Sequence, residues 1–172
     1  MAIKPTQGIK KVLFFQALDG AATTGNDLRL AFQQEHTLTL EREALEEATK
    51  DGSIKGAGEI NASLSLTSFV AKDDATYKLL KESFKNNEMI QGWEVDVTEE
   101  SSSGKYEAIY FMGTLTSFEE SASTDGFSEL STDVAINLIP QDGEVTLTDA
   151  EFTAVQYAFR DFGELNAENS AG

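Results

Sequence analysis

Residues 54–70 (IKGAGEINASLSLTSFV) alternate polar and apolar side chains with period two, and this run constrains the fold more than any other. Ile60, Ala62, Leu64 and Leu66 fall on one face of an extended strand; Asn61, Ser63, Ser65 and Thr67 fall on the other. Such a strand needs partners at its edges and a cover for its apolar face. Asp73-Asp74 breaks the run, and either residue can N-cap a helix. Ala75–Asn86 then places Tyr77, Leu80 and Phe84 at i, i+3 and i+7, an apolar stripe suited to packing on a sheet. Asn86-Asn87 ends that helix, and Met89–Val97 (MIQGWEVDV) returns to strand pattern.

The remaining segments extend this strand-rich order. Lys11–Leu18 reads as a first, buried strand. Its Lys10-Lys11 and short apolar run superficially suggest a signal peptide, but Gln16 interrupts it and Asp19-Gly20 stops it. Asp19–Asp27 is turn chemistry. Leu28–Phe32 and His36–Leu40 read as short strands around a polar Gln33-Gln34-Glu35 turn. Thr98–Gly104 is a polar hairpin loop, and the aromatic, β-branched stretch Lys105–Phe118 is a strand in which Gly113 suggests a bulge. Ser121–Gly126 turns the chain. Phe127–Ile139 alternates cleanly: Leu130, Thr132, Val134, Ile136 and Leu138 oppose Glu129, Ser131, Asp133, Ala135 and Asn137. Pro140–Gly143 is expected to end that strand. Thr148-Asp149-Ala150-Glu151 fits a capping box, so 149–161 reads as a C-terminal helix, with strand as the alternative.

Glu41–Gly52 (EREALEEATKDG) is ambiguous. Its residues favour helix, yet Leu45 is its one large apolar side chain, and a helix with nothing to bury is marginal in water. The expectation is an exposed excursion over 41–59, disordered or loosely helical. The domain plan is then an N-terminal arm (1–10), one domain over 11–162 and a polar tail (163–172).

The chain has 172 residues, a natural length for one domain with its own core. It contains no cysteine, which excludes disulfides and thiolate metal sites. No apolar run approaches the ~20 residues of a membrane-spanning helix. The net charge of −17 is unevenly placed: residues 1–93 carry 13 acids and 11 Lys/Arg, whereas residues 94–172 carry 17 acids and 2 Lys/Arg, Lys105 and Arg160. Nucleic-acid binding needs Lys and Arg to neutralise phosphates, so the C-terminal half should repel DNA.

Catalytic, cofactor-binding and metal residues are all expected to be absent. The single histidine, His36, has no recognisable nucleophile partner and reads as structural. Neither H-x-x-x-H nor an EF-hand loop occurs. Asp73-Asp74 suits capping better than chelation. Glu119-Glu120 could invite a glycosidase reading, but adjacent strand residues point to opposite faces. Gly52, Gly56 and Gly58 lack the remainder of a phosphate loop. Trp93, with Tyr106 or Tyr110, could form a carbohydrate-binding stripe, though such residues usually lie in the core of a β protein.

Several stretches in order carry a resemblance: Ala48–Gly58, Ala71–Asp74, Trp93-Glu94, Gly104–Tyr110 (GKYEAIY), Gly113–Phe118 (GTLTSF), Ala135–Asn137, Gln141–Gly143 and Thr146–Phe159 (TLTDAEFTAVQYAF). Together they resemble the major tail proteins of long-tailed bacteriophages, the TP901-1-type tail tube family, across roughly residues 8–160. The resemblance implies a mainly β fold with one flanking helix, sandwich- or barrel-like. It implies a structural subunit, not an enzyme, forming hexameric rings that stack into a tube for DNA ejection. It further implies other tail proteins such as tape measure and terminator proteins as partners, DNA passing without specific binding, no membrane, and a virion location after assembly in the host cytoplasm. The rival readings are a soluble β-sandwich module binding carbohydrate or a receptor, and an acidic hydrolase.

Overall fold

The computed structural model describes residues 5–18 and 29–147. After a short 3-10 turn (Gly8–Lys10) come β1 (Lys11–Ala17), β2 (Gln33–Thr49), β3 (Gly52–Phe69), α1 (Ala75–Asn86), β4 (Met89–Asp96), β5 (Tyr106–Ser121) and β6 (Glu129–Val145). The six strands form one antiparallel sheet in the order β1-β4-β5-β6-β3-β2. The fold is therefore mainly β with one helix among the described residues, as the alternation predicts. The turn at 19–27, the element at 149–161 and the tail at 163–172 lie outside the described residues, as does the start of the N-terminal arm.

The sheet curls so that its two halves share one core. Leu13 and Phe15 of β1 meet Leu64 and Leu66 of β3, Ile90 of β4, Phe111 and Leu115 of β5, and Leu130 and Val134 of β6. Phe15 and Phe111 pack edge to face at 6.1 Å. The helix adds Tyr77 and Leu80 to this core, while Phe84 sits at its margin, stacked on Phe118. Asp74 caps α1 by accepting from the Thr76 N–H at 2.8 Å, and its second oxygen takes the Ala31 N–H at 2.7 Å. Asn87, in the left-handed conformation, stops the helix. Val12 and Phe14 point the other way, into a second cluster with Val95, Val97, Tyr106 and Ala108. Burial on both faces explains why residues 12–15 are apolar without alternation.

Four local expectations are corrected. Leu28 lies outside the described residues; Arg29 forms an isolated bridge with Phe14 in place of a strand, Ala31-Phe32 turns, and β2 already begins at Gln33, so 33–35 is strand with a bulge and not a turn. The 41–59 excursion is exposed, but it is neither disordered nor helical: it is a β-ribbon, with Arg42–Ile60 through Thr49–Gly52 in register apart from one bulge. The adjacent β3 strand supplies a full backbone ladder, whereas a helix here would have no apolar face to bury. Pro140 does not end β6, which continues to Val145. Register passes from Met112↔Asn137 to Tyr110↔Gln141, so residues 138–140 form a bulge in which Pro140 owes the ladder no N–H. Leu138 has φ 61° there and is 75% exposed, off the core face. Gly113 is paired with Ile136 and is not itself the bulge; a Cβ at this position would run into the Ala135 carbonyl.

Candidate assembly surface

Strand β3 pairs with β6 only over Ala62–Phe69, whereas its pairing with β2 continues to the turn at Gly52. Residues 42–60 therefore leave the sheet as a two-stranded ribbon. The register shift between Arg42 and Ala44 places a bulge at its base, where bulges commonly bend and twist a strand. Thr49 and Gly52 pair across Lys50-Asp51, and the Thr49 hydroxyl donates to the Gly52 carbonyl at 2.6 Å. Gly52 has φ 133°, a conformation that a side chain would strain. Asp51-Gly52 is a hairpin signal that sequence reasoning passed over.

Among the described residues, none covers this ribbon. Residues 40–57 are exposed on both faces, including Leu40, Leu45 and Ile54 at 55%, 53% and 65%. A two-stranded ribbon is marginal alone in water. Its apolar side chains and open backbone edges are features of a surface that another chain completes.

A second surface is polar. The outward residues of β3, β6 and β5 include Asn61, Ser63, Ser65, Ser131, Asp133, Asn137 and Thr116. Asp133 accepts from Ser65 Oγ at 2.6 Å and Ser117 Oγ at 2.8 Å, and these bonds hold its carboxyl below the ordinary range. Strands β5 and β6 contain no Lys or Arg. The ends of β4, β5 and β6 gather further acids, Asp96, Glu107, Asp142 and Glu144, around one open groove.

The residues singled out in the sequence make the following contacts. His36 Nε2 lies 2.9 Å from Glu94 Oε2, and Lys11 Nζ donates to Glu94 Oε1 at 2.7 Å. The His36 hydrogen bond, helped by Lys11, holds the Glu94 carboxyl at about 2 despite burial, and Glu94 in turn raises Lys11. Glu120 accepts from the Tyr77 hydroxyl at 2.8 Å. Trp93 pairs with Tyr110 at 5.5 Å and packs on the Val12–Phe14–Val95 cluster, while Tyr106 is buried. Gly56 and Gly58 lie in the ribbon. The importance of Glu94 and Gln33 was not visible in sequence, because their partners are 58 and 20 residues away.

A family profile described as phage tail tube protein matches residues 5–142. The chain belongs to the phage tail tube protein family. It is similar to the tail tube protein of Bacillus phage SPP1, at 29% identity over 167 residues, covering 95% of this chain and 62% of that protein. The chain thus spans about six-tenths of the length of the curated relative it matches. It also resembles the solved SPP1 tail tube, with a TM-score of 0.72 at 24% identity, covering 92% of this chain and 88% of the other. The tail of an empty gene transfer agent particle, refined with C6 symmetry, gives 0.62 at 12% identity, covering 81% and 99%. These two structural likenesses show that the curled sheet with its flanking helix is the tail tube fold. The ribbon and the polar face are therefore surfaces of a tail tube family member.

Proposed function

We propose that this chain is a structural subunit of a phage tail tube, in which six copies close into a ring and rings stack into a channel for DNA. The observation that carries this reading is the uncovered ribbon of residues 42–60 in a chain of this family: its edges and its Leu45 and Ile54 side chains require a second chain. A heterologous contact of this kind closes into a ring when its rotation divides a full turn, and stacks or spirals otherwise. In this reading the protein is not an enzyme, and its partners are copies of itself and other tail proteins such as tape measure and terminator proteins. It resides in the virion tail after assembly in the host cytoplasm. The ordered motifs support a TP901-1-type ancestry as part of the same proposal.

The Ser-, Thr- and Asp-rich face of β3, β6 and β5 is our candidate for the channel lining. It offers hydroxyls and carboxylates to water and lacks the cations that would release counterions from DNA. Repulsion at short range would keep DNA hydrated and sliding, without specific binding.

Negative-stain electron microscopy of the purified protein at moderate salt tests the assembly. Rings or tubes are expected, and salt is needed because −17 per chain must be screened before rings stack. A strictly monomeric mass by light scattering at high concentration, with no polymers in micrographs, would overturn it. Binding of duplex DNA in gel shifts near physiological salt would overturn the channel-lining proposal.

A further inference from the structure

Strands β1 and β2 are the two edges of the sheet. An edge presents unpaired N–H and C=O groups, a template for any extended chain that reaches it. Among the described residues no strand ladder joins these edges. On the outer side of β1 the described residues give one isolated backbone bridge, Phe14 with Arg29, and β1 and β2 themselves meet through side chains.

Gln33, at the start of β2, sits against Leu13 of β1. Its side-chain oxygen accepts from the Leu13 N–H at 2.9 Å, and its side-chain nitrogen donates to the Leu13 carbonyl at 2.7 Å. A planar amide offering one donor and one acceptor reproduces what a residue of a neighbouring strand would offer Leu13. The same nitrogen donates to the Leu30 carbonyl at 2.9 Å, which orients the amide. Three residues further along β2, His36 reaches Glu94 of β4, and the other Glu94 oxygen takes Lys11 of β1. Glu94 and His36 side chains are only 7% and 12% exposed. The seam is thus held at two points, Leu13 with Gln33 and Lys11–Glu94 with His36.

We propose that Gln33, braced by the Lys11–Glu94–His36 bridge, is an edge plug that stops β1 from pairing with a strand of another copy of this chain. The excluded partner is a second copy because the chain carries its own uncovered strands at 42–60, present at equal concentration wherever the protein is made. The plug occupies the backbone groups that such a strand would use, and it does so without adding a strand that would itself expose an edge. This inference is independent of the tube reading, since it concerns a misdirected contact in any soluble form of the protein.

Residue-resolved hydrogen exchange tests it first in the native protein. The Leu13 amide should exchange as slowly as ladder amides of β1, although among the described residues no strand ladder covers it and only the Phe14–Arg29 bridge lies beside it; exchange at an open-loop rate would overturn the proposal. In Gln33→Ala, Leu13 should exchange about tenfold faster or more, the effect of losing one protecting hydrogen bond, while Leu64 and Val134 stay unchanged. Light scattering of that variant should show irregular aggregates growing faster than in the parent. Gln33→Glu sets a carboxylate oxygen against the Leu13 and Leu30 carbonyls in place of the amide donor, so it should lose protection at Leu13 as Gln33→Ala does; full protection there would overturn the two-bond plug. Acceleration equal at Leu13 and Leu64, or a Gln33→Ala protein as free of aggregates as the parent, would reduce Gln33 to an ordinary packing residue.

Discussion

Lowering the pH from 4.5 to 2 should unfasten Glu94 from His36 and Lys11. Glu94 is held at about 2 against an ordinary value of 4.5. A carboxyl held below its unfolded value contributes stability that is complete above that value and is lost as pH falls toward the folded one. A drop of that size corresponds to about 3 kcal/mol at 1.36 kcal/mol per unit. Its side chain is 7% exposed, so solvent screening removes little of this. The chain carries 30 acids, so the parent curve alone does not isolate Glu94. The difference between the parent and Glu94→Gln isolates the one group. Denaturant unfolding at a series of pH values should show Glu94→Gln less stable by about 3 kcal/mol at pH 5 and above, by about 1 kcal/mol near pH 3, and by well under 1 kcal/mol at pH 2. A gap that stays constant from pH 7 to pH 2 would refute the reasoning, because it would mean that Glu94 acts through shape and not through charge.

Three further outcomes follow from the geometry. Gly113→Ala should cost about 3 kcal/mol or more by denaturant unfolding, because its Cβ meets the Ala135 carbonyl and the β5–β6 ladder must shift; a cost under 1 kcal/mol would show that the strands can part freely. Leu45→Ser combined with Ile54→Ser should leave the unfolding midpoint of the unassembled chain nearly unchanged, since both side chains are exposed, yet abolish tubes in micrographs; normal tubes would remove the ribbon from the assembly surface. Asp74→Ala should cost about 1–2 kcal/mol, because it removes the α1 cap and the bond to the Ala31 N–H; an unchanged midpoint in thermal unfolding would count against the cap.

The alternation at 60–67, the stripe Tyr77–Leu80 with the Asp74 cap, and the run Leu130–Ile136 were legible because each is a local pattern with a local reading: period two for a half-buried strand, 3.6 for a helix, and a carboxylate ahead of free N–H groups. The absence of basic residues from β5 and β6 could be read in the same way. The ribbon could not, because residues 41–49 favour helix locally and become strand only when 52–60 lies alongside. Pro140 was misread for a similar reason: its missing N–H is harmful in a ladder and harmless in a bulge, and only the β5 register decides which it meets. Gln33, His36 and Glu94 look like scattered polar residues in the chain. They become a seam only after the sheet curls and brings its two edges together, since a hydrogen bond depends on positions in space and not on spacing along the backbone.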